Sequence, residues 1–133
     1  MTRKDARASA LQLLYQYEFH RDLKPEDYLA RAARDFEGSF NDYTLRLFHG
    51  VLEHTEALDA LITAHSKNWR LDRINRVSRC ILRIALFEMR FDDKVDTPIA
   101  INEAVELSKE FELGESSAFI HGVLGGVARE EPS

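Results

Sequence analysis

The sequence predicts an all-α protein, and three observations carry that expectation. Apolar residues recur at helical spacing almost from end to end, and no strand-like alternation lasts long enough to build a sheet. Only three prolines and six glycines interrupt the 133 residues. Residues that start helices also stand at the heads of the periodic runs: Pro25, Asn41 or Asp42, Thr97 with Pro98, and Ser116 or Ser117. The length suits one domain with a proper core and is short for two independent ones.

The first helix is expected over about 3–19, with Ala6, Ala10, Leu13, Leu14 and Tyr17 facing inward. Pro25 opens a second, whose inward residues are Leu29, Ala32, Ala33 and Phe36, and Gly38-Ser39 breaks it. Asn41 or Asp42 caps a third through Leu45, Phe48, Val51 and Leu52, which continues or kinks into Leu58, Leu61 and Ile62. Residues 66–75 read as a connection with a short helical turn. They divide a single domain, 1–133, into an N-terminal helical bundle (about 1–65) and a C-terminal one (about 66–133).

The helix expected over about 76–91 differs from the others. Val77, Cys80, Ile81, Ile84, Phe87 and Phe91 cover one broad side, while Leu82, Leu86 and Met89 cover much of the other. Arg76, Arg79, Arg83 and Arg90 share the strip that is left, within about 60° of arc on a regular helix. The pattern predicts a central helix buried nearly all round, with one arginine edge reaching solvent. Glu88 projects from its apolar side, where an ionised carboxylate needs a hydrogen-bonding or cationic partner. Beyond the stop at Asp92-Asp93-Lys94, Thr97 as N-cap and Pro98 at the first helical position start the next helix. Its inner face is Ala100, Ile101, Ala104, Val105, Leu107 and Phe111, and Gly114 stops it. The last helix buries Phe119, Ile120, Val123, Leu124 and Val127 and carries His121, Gly122, Gly125, Gly126 and Arg129 on its other face. Three glycines in a helix cost roughly 1 kcal/mol each relative to alanine, so close backbone approach or room for a ligand is expected to compensate.

Composition narrows the function classes. Net charge is −5, which argues against a surface that tracks nucleic acid everywhere. Yet Lys67, Arg70, Arg73, Arg76, Arg79 and Arg83 fall in one short stretch with a single acid, Asp72, so a local anionic partner is expected. No apolar run approaches a membrane span, and no secretory signal opens the chain. The single Cys80 excludes an intrachain disulfide and suits a reducing compartment, with the cytoplasm as default. An enzyme fits worst. His20, His49, His54, His65 and His121 are scattered, and His49 and His54 miss the i,i+4 spacing of helical metal ligands. There is no glycine-rich phosphate loop and no G-x-S-x-G. No catalytic residue, metal site or cofactor is expected.

Three stretches in order, LRIALFEM (82–89), the Pro98 helix with INEAVELSK (101–109) and FIHGVL (119–124), resemble the NusB family of transcription antitermination factors. ARASALQLLYQYE (6–18) is similar to that family's first helix. The resemblance implies about seven helices in two small bundles packed perpendicularly across each other. It implies binding to boxA RNA with the small-subunit ribosomal protein NusE, in a complex that joins other Nus factors on RNA polymerase. It also implies that some relatives self-associate as a homodimer that masks the RNA surface. Carried onto this chain, it places RNA contacts at Arg3, Lys4 and Arg7, at Tyr15, and near Ser78, Arg79 and Gly125. Asp5 interrupts the basic motif, Ser78 stands where an acid is frequent, and His121 and Gly125 stand where asparagine and aspartate are usual.

The side chains suit that role. Single-stranded RNA is held by aromatic or arginine planes under its bases and by cations at its phosphates. Arg3, Lys4 and Arg7 lie at a helix N-terminus, whose dipole also favours phosphate. Tyr15 projects from the outer side of the first helix. Arg70, Arg73, Arg76 and Arg79 add phosphate contacts if the fold brings them beside that helix. On this reading Arg7→Ala and Arg79→Ala each weaken RNA binding. The plainer reading pairs the arginine strip with Glu103, Glu106 and Glu110, packs Tyr15 half-buried, and makes Glu88 an anchor for a neighbouring helix or loop. Two other functions stay open: an RNA-targeting module of a ribosomal RNA methyltransferase, present here only as a fragment, and a protein-binding helical scaffold.

Overall fold

Capping decides where several helices begin. In the computed structural model, which describes residues 2–35, 40–67, 70–92, 94–111 and 114–130, Thr2 and Asp5 form a reciprocal capping box at the head of α1 (Arg3–Tyr17). The two hydrogen bonds to Thr2 hold the Asp5 carboxyl below its usual range. Pro25 opens α2 (Pro25–Asp35). Asn41 Oδ1 accepts from the Thr44 N–H at 2.8 Å and starts α3 (Asp42–Glu53); Asn75 Oδ1 does the same for the Ser78 N–H, also at 2.8 Å, at the head of α5 (Arg76–Phe91). Phe36, the Gly38-Ser39 break and Asp93 lie outside the described residues.

The third expected helix is two. His54, with φ −114°, separates α3 from α4 (Thr55–His65), and its ring stacks on Phe91 at 3.8 Å, which ties the corner to the end of α5. A 3-10 turn, Leu71–Arg73, fills the connection before α5. Two starts differ from expectation. Asp96, in extended conformation, precedes α6 (Thr97–Glu110), so Thr97 is already helical and Pro98 still falls in the first turn, where its missing N–H costs no bond. The last helix, α7 (Gly114–Glu130), begins before Ser116 and Ser117. Ser117 Oγ is therefore free to lie 2.6 Å from Ser108 Oγ, a buried contact joining α7 to α6. No strand occurs among the described residues.

The central helix is buried as its pattern predicts. Every residue from Cys80 through Glu88 is buried, and α5 packs against α1, α3, α4, α6 and α7. Gly50 lets α3 come close: a Cβ there would stand 2.3 Å from the Phe87 ring. Arg7 of α1 meets Glu88 near the end of α5, while Glu18, just past α1, meets Arg83 and Arg76. The two helices therefore run antiparallel. Glu103 of α6 approaches Arg7, and Phe111, just beyond α6, shares a groove with Leu11 and Tyr15, so α6 runs parallel to α1, both packed on the central helix.

Candidate nucleic-acid interface

Depth sorts the arginines into two kinds. Arg7, expected at the surface, is only 5 % exposed. Its Nε donates to both Glu88 carboxylate oxygens, at 3.0 and 3.1 Å, and its Nη2 donates to Oε2 at 2.9 Å. Tyr43 donates its hydroxyl to the same Oε2, and Glu103 lies 3.9 Å from Arg7 Nη1. Burial alone would weaken the Arg7 charge, but the hydrogen bonds and charge of Glu88 more than offset it and hold the guanidinium protonated. That corrects the placement of Arg7 at a phosphate, because its planar fork is already filled by a carboxylate. Glu88 has the cationic partner its position demanded.

Arg83 repeats the arrangement on α5 and is 8 % exposed. Its Nε and Nη2 grip Asp59 of α4 at 2.7 and 3.1 Å, and its Nη1 donates to Glu18 at 3.1 Å. Burial opposes the charge here too, and Asp59 with Glu18 outweighs it. The acids that pair Arg76 and Arg83 of the strip are thus Glu18 and Asp59. Of the α6 glutamates, Glu106 is 3.8 Å from Lys109, and Glu103 leans toward Arg7.

The outer cations behave differently. Arg3 is exposed, with its guanidinium carbon 4.5 Å from the Tyr43 ring centre. Arg76 is exposed over Phe19 at 4.7 Å, with Glu18 Oε2 3.7 Å from its Nε. Such cation–π placements leave the guanidinium edge open to an anion. Lys4 and Arg73 are exposed, and Arg70 pairs with Asp72 at the surface, 3.1 Å away. Arg79 is half-buried, and its Nε is fully covered with no acceptor among the described residues. A covered donor without a partner is costly, so any contact Arg79 makes with a ligand falls to its terminal nitrogens. Ser78 is buried, its Oγ also without a partner among the described residues, while its backbone N–H donates to Asn75 Oδ1 at the head of α5. Gly125 is half-buried, and Arg129 Nη1 lies 3.3 Å from where its Cβ would be, so a guanidinium covers that position.

The antiparallel packing brings some expected residues together and keeps others apart. Tyr15, half-buried and edge-on to Phe19 at 5.5 Å between centroids, lines a groove of ≈ 230 Å³ with Leu11, Gln12, Gln16, Val77 and Phe111. Arg76 stands at that end of the α1/α5 pair. Arg3 and Lys4 stand at the other, roughly 18 Å away along the helix axes at 1.5 Å per residue. Sequence reasoning missed Tyr43, Phe19, Glu18, Asp59 and Arg129. Phe19, four residues beyond Tyr15, had a local signal, since such positions share a helix face. Arg129 covers Gly125 from one turn further along α7, at the same spacing, and Tyr43, Glu18 and Asp59 become visible only through contacts between helices.

Among the described residues no group of histidines, cysteines, aspartates or glutamates could hold a metal ion, and no helix is long and apolar enough to cross a membrane. Cys80 is buried, which pushes its thiol up to about 12, away from nucleophilic chemistry at neutral pH. The sequence profile of the NusB family matches residues 4–129 of this chain. A transcription antitermination protein NusB from Exiguobacterium sp. is 41% identical over 131 residues, covering 98% of this chain and 100% of the relative. Among solved structures, T. maritima NusB superposes with a TM-score of 0.84 at 27% identity, covering 100% of this chain and 94% of that one. The antitermination factors NusB and NusE in complex with dsRNA include a chain sharing the fold at TM-score 0.82 and 24% identity, with 97% of each chain covered.

Proposed function

The chain belongs to the NusB family, and from that premise we propose that it is a transcription antitermination factor that binds boxA-type RNA together with the small-subunit ribosomal protein NusE. It acts by affinity and assembly, without catalysis, in the cytoplasm. The protein–RNA complex joins other Nus factors on RNA polymerase and promotes processive transcription of ribosomal RNA operons; a homodimer is its competing, RNA-free state.

The observation that carries the RNA reading is the exposed Arg76 guanidinium over the Phe19 ring, at the same end of the α1/α5 pair as Tyr15 and the apolar groove. A phosphate would pair with Arg76 and with the terminal nitrogens of half-buried Arg79, and bases would lie against Tyr15 and Phe19 beside the groove. Stacking of this kind is worth about 1–3 kcal/mol per base. A strand continuing along α1 reaches Arg3 and Lys4, where the helix N-terminus adds its dipole. Arg70 and Arg73 extend the positive field beyond the groove, and Arg7, held by Glu88, positions the first turn of α1 without touching RNA.

The test is fluorescence anisotropy with labelled boxA RNA over a salt series, with and without NusE. Binding that falls with salt, tightens with NusE and weakens about fivefold in Arg79→Ala is expected, for about 1 kcal/mol per lost contact. No binding in either case would favour a protein-binding scaffold.

A further inference from the structure

Between α4 and α7 lies an open cleft of ≈ 500 Å³, remote in sequence from the α1/α5 groove. Its volume is that of small-ligand sites, roughly 300–1,000 Å³. Two glycines open its floor. A Cβ on Gly126 would stand 2.8 Å from His65 Nδ1, so glycine admits the imidazole between the helices. A Cβ on Gly122 would meet nothing within 4 Å. Glycine weakens a helix relative to alanine, and Gly122 gains no packing in return, so what it provides is space.

The rim is cationic and strained. Lys67 lines it with φ 33°, left-handed backbone that a lysine rarely adopts, and Arg129 lines it from α7. Lys67 is the residue after the Ser66 C-cap of α4, and the left-handed turn that ends that helix places it at the cleft. Glu130 lies beside the cleft on His65 Nε2, at 3.0 Å, so the rim carries two cations, Lys67 and Arg129, against one carboxylate engaged by the imidazole. Phe119 forms an apolar wall. Arg129 also reaches over Gly125, so the cleft adjoins the last-helix position that the resemblance assigns to the RNA side.

We propose that this cleft binds a nucleoside phosphate, with the phosphate between Lys67 and Arg129 and the base against Phe119 over the Gly122 floor. The ligand is either a free nucleotide or a nucleotide of an RNA strand continuing past the first site. The second source rests on the RNA reading above and the first does not.

The full chain, labelled with ¹⁵N, is titrated with uridine monophosphate, with boxA RNA, and with boxA RNA carrying a few flanking nucleotides. Shifts of the Gly122 and Gly126 amides are expected. With uridine monophosphate alone they identify a free nucleotide, and with the flanked RNA alone they identify a continuing strand. Lys67→Gly and Arg129→Gln should each weaken that binding about tenfold, the scale of a hydrogen bond to a charged group. Gly122→Leu, which fills the floor, should abolish it. Lys67→Gly relieves the positive φ, so its melting temperature should hold or rise; lost binding with retained fold then marks a contact rather than a structural role. No shift at either glycine with any titrant, or unchanged binding in Gly122→Leu, overturns the proposal. Shifts confined to α1 with unflanked RNA report on the first site, so the two readings fail separately.

Discussion

The first turns of α1 and the leading half of α5 carry arginines in parallel arrangements. Each has an outer arginine lying on an aromatic ring, Arg3 on Tyr43 and Arg76 on Phe19, and an inner arginine locked to carboxylates, Arg7 and Arg83. The difference is in the acids. Arg7 rests mainly on one buried carboxylate, Glu88, braced by the neutral Tyr43 hydroxyl. Arg83 rests on two, Asp59 and Glu18, and the surplus negative charge draws on Arg76 through Glu18. The α1 clamp is therefore nearly self-neutral and leaves Arg3 and Lys4 with their full charge, while the α5 clamp consumes part of Arg76. Within that stretch of α5 it is Arg79, without a carboxylate partner among the described residues, that keeps its charge for a ligand.

The largest effect expected from breaking this comparison is on stability. Glu88→Ala should cost roughly 3–5 kcal/mol in urea unfolding, because it strands a buried guanidinium. Asp59→Ala should cost about 1–2 kcal/mol, since Glu18 still holds Arg83 and Asp59 is partly in water. Equal losses would show that the second carboxylate does not matter.

Next in size is the split between inner and outer arginines in RNA binding. Arg3→Ala should lower affinity by about 1 kcal/mol and reduce the salt slope by roughly 0.7, as for one phosphate contact on a single strand. Arg7→Ala should instead lower the unfolding midpoint while leaving the salt slope of the folded protein unchanged. A loss of slope in Arg7→Ala would return that residue to the RNA surface.

Alkaline pH separates the two clamps by a third route. Burial pushes the Cys80 thiol and the Tyr28 hydroxyl up to about 12, and burial with the Glu88 contact raises Tyr43 further. Each folded value lies above the unfolded one, so the unfolded chain loses these protons first. Stability is then full below about pH 9 and falls as pH rises through 12. Urea unfolding across that window should show the decline, and Tyr43→Phe should remove the part tied to the α1 clamp. Phe19→Ala should weaken RNA binding by about 1 kcal/mol, the lower end for a stacked base, because Arg76 already covers one face of the ring.

Periodicity alone located the central helix, because a segment buried on nearly every side leaves only a narrow strip for charge. The same logic marked Glu88 as needing a partner. It could not name Arg7, which lies 81 residues away along the chain. It offered the α6 glutamates for the arginine strip, whereas Glu18 and Asp59 hold Arg83 because α1 and α4 bring them to it. The candidate site was legible as a set of residue types and only half legible as a place. Tyr15 and Arg76 do come to one end, whereas Arg3 and Lys4 lie at the other because α1 and α5 are antiparallel.

What the amino-acid order determined by itself is therefore local: helical period, a cap at Asn41 or Asp42, an arginine-edged central helix, and motifs that mark the family. These depend on neighbours within a turn or two. Tertiary structure alone decided which arginines are bound inside and which are offered outside. An ion pair is set by distance and burial between helices, and neither quantity is written in the spacing of residues along one of them.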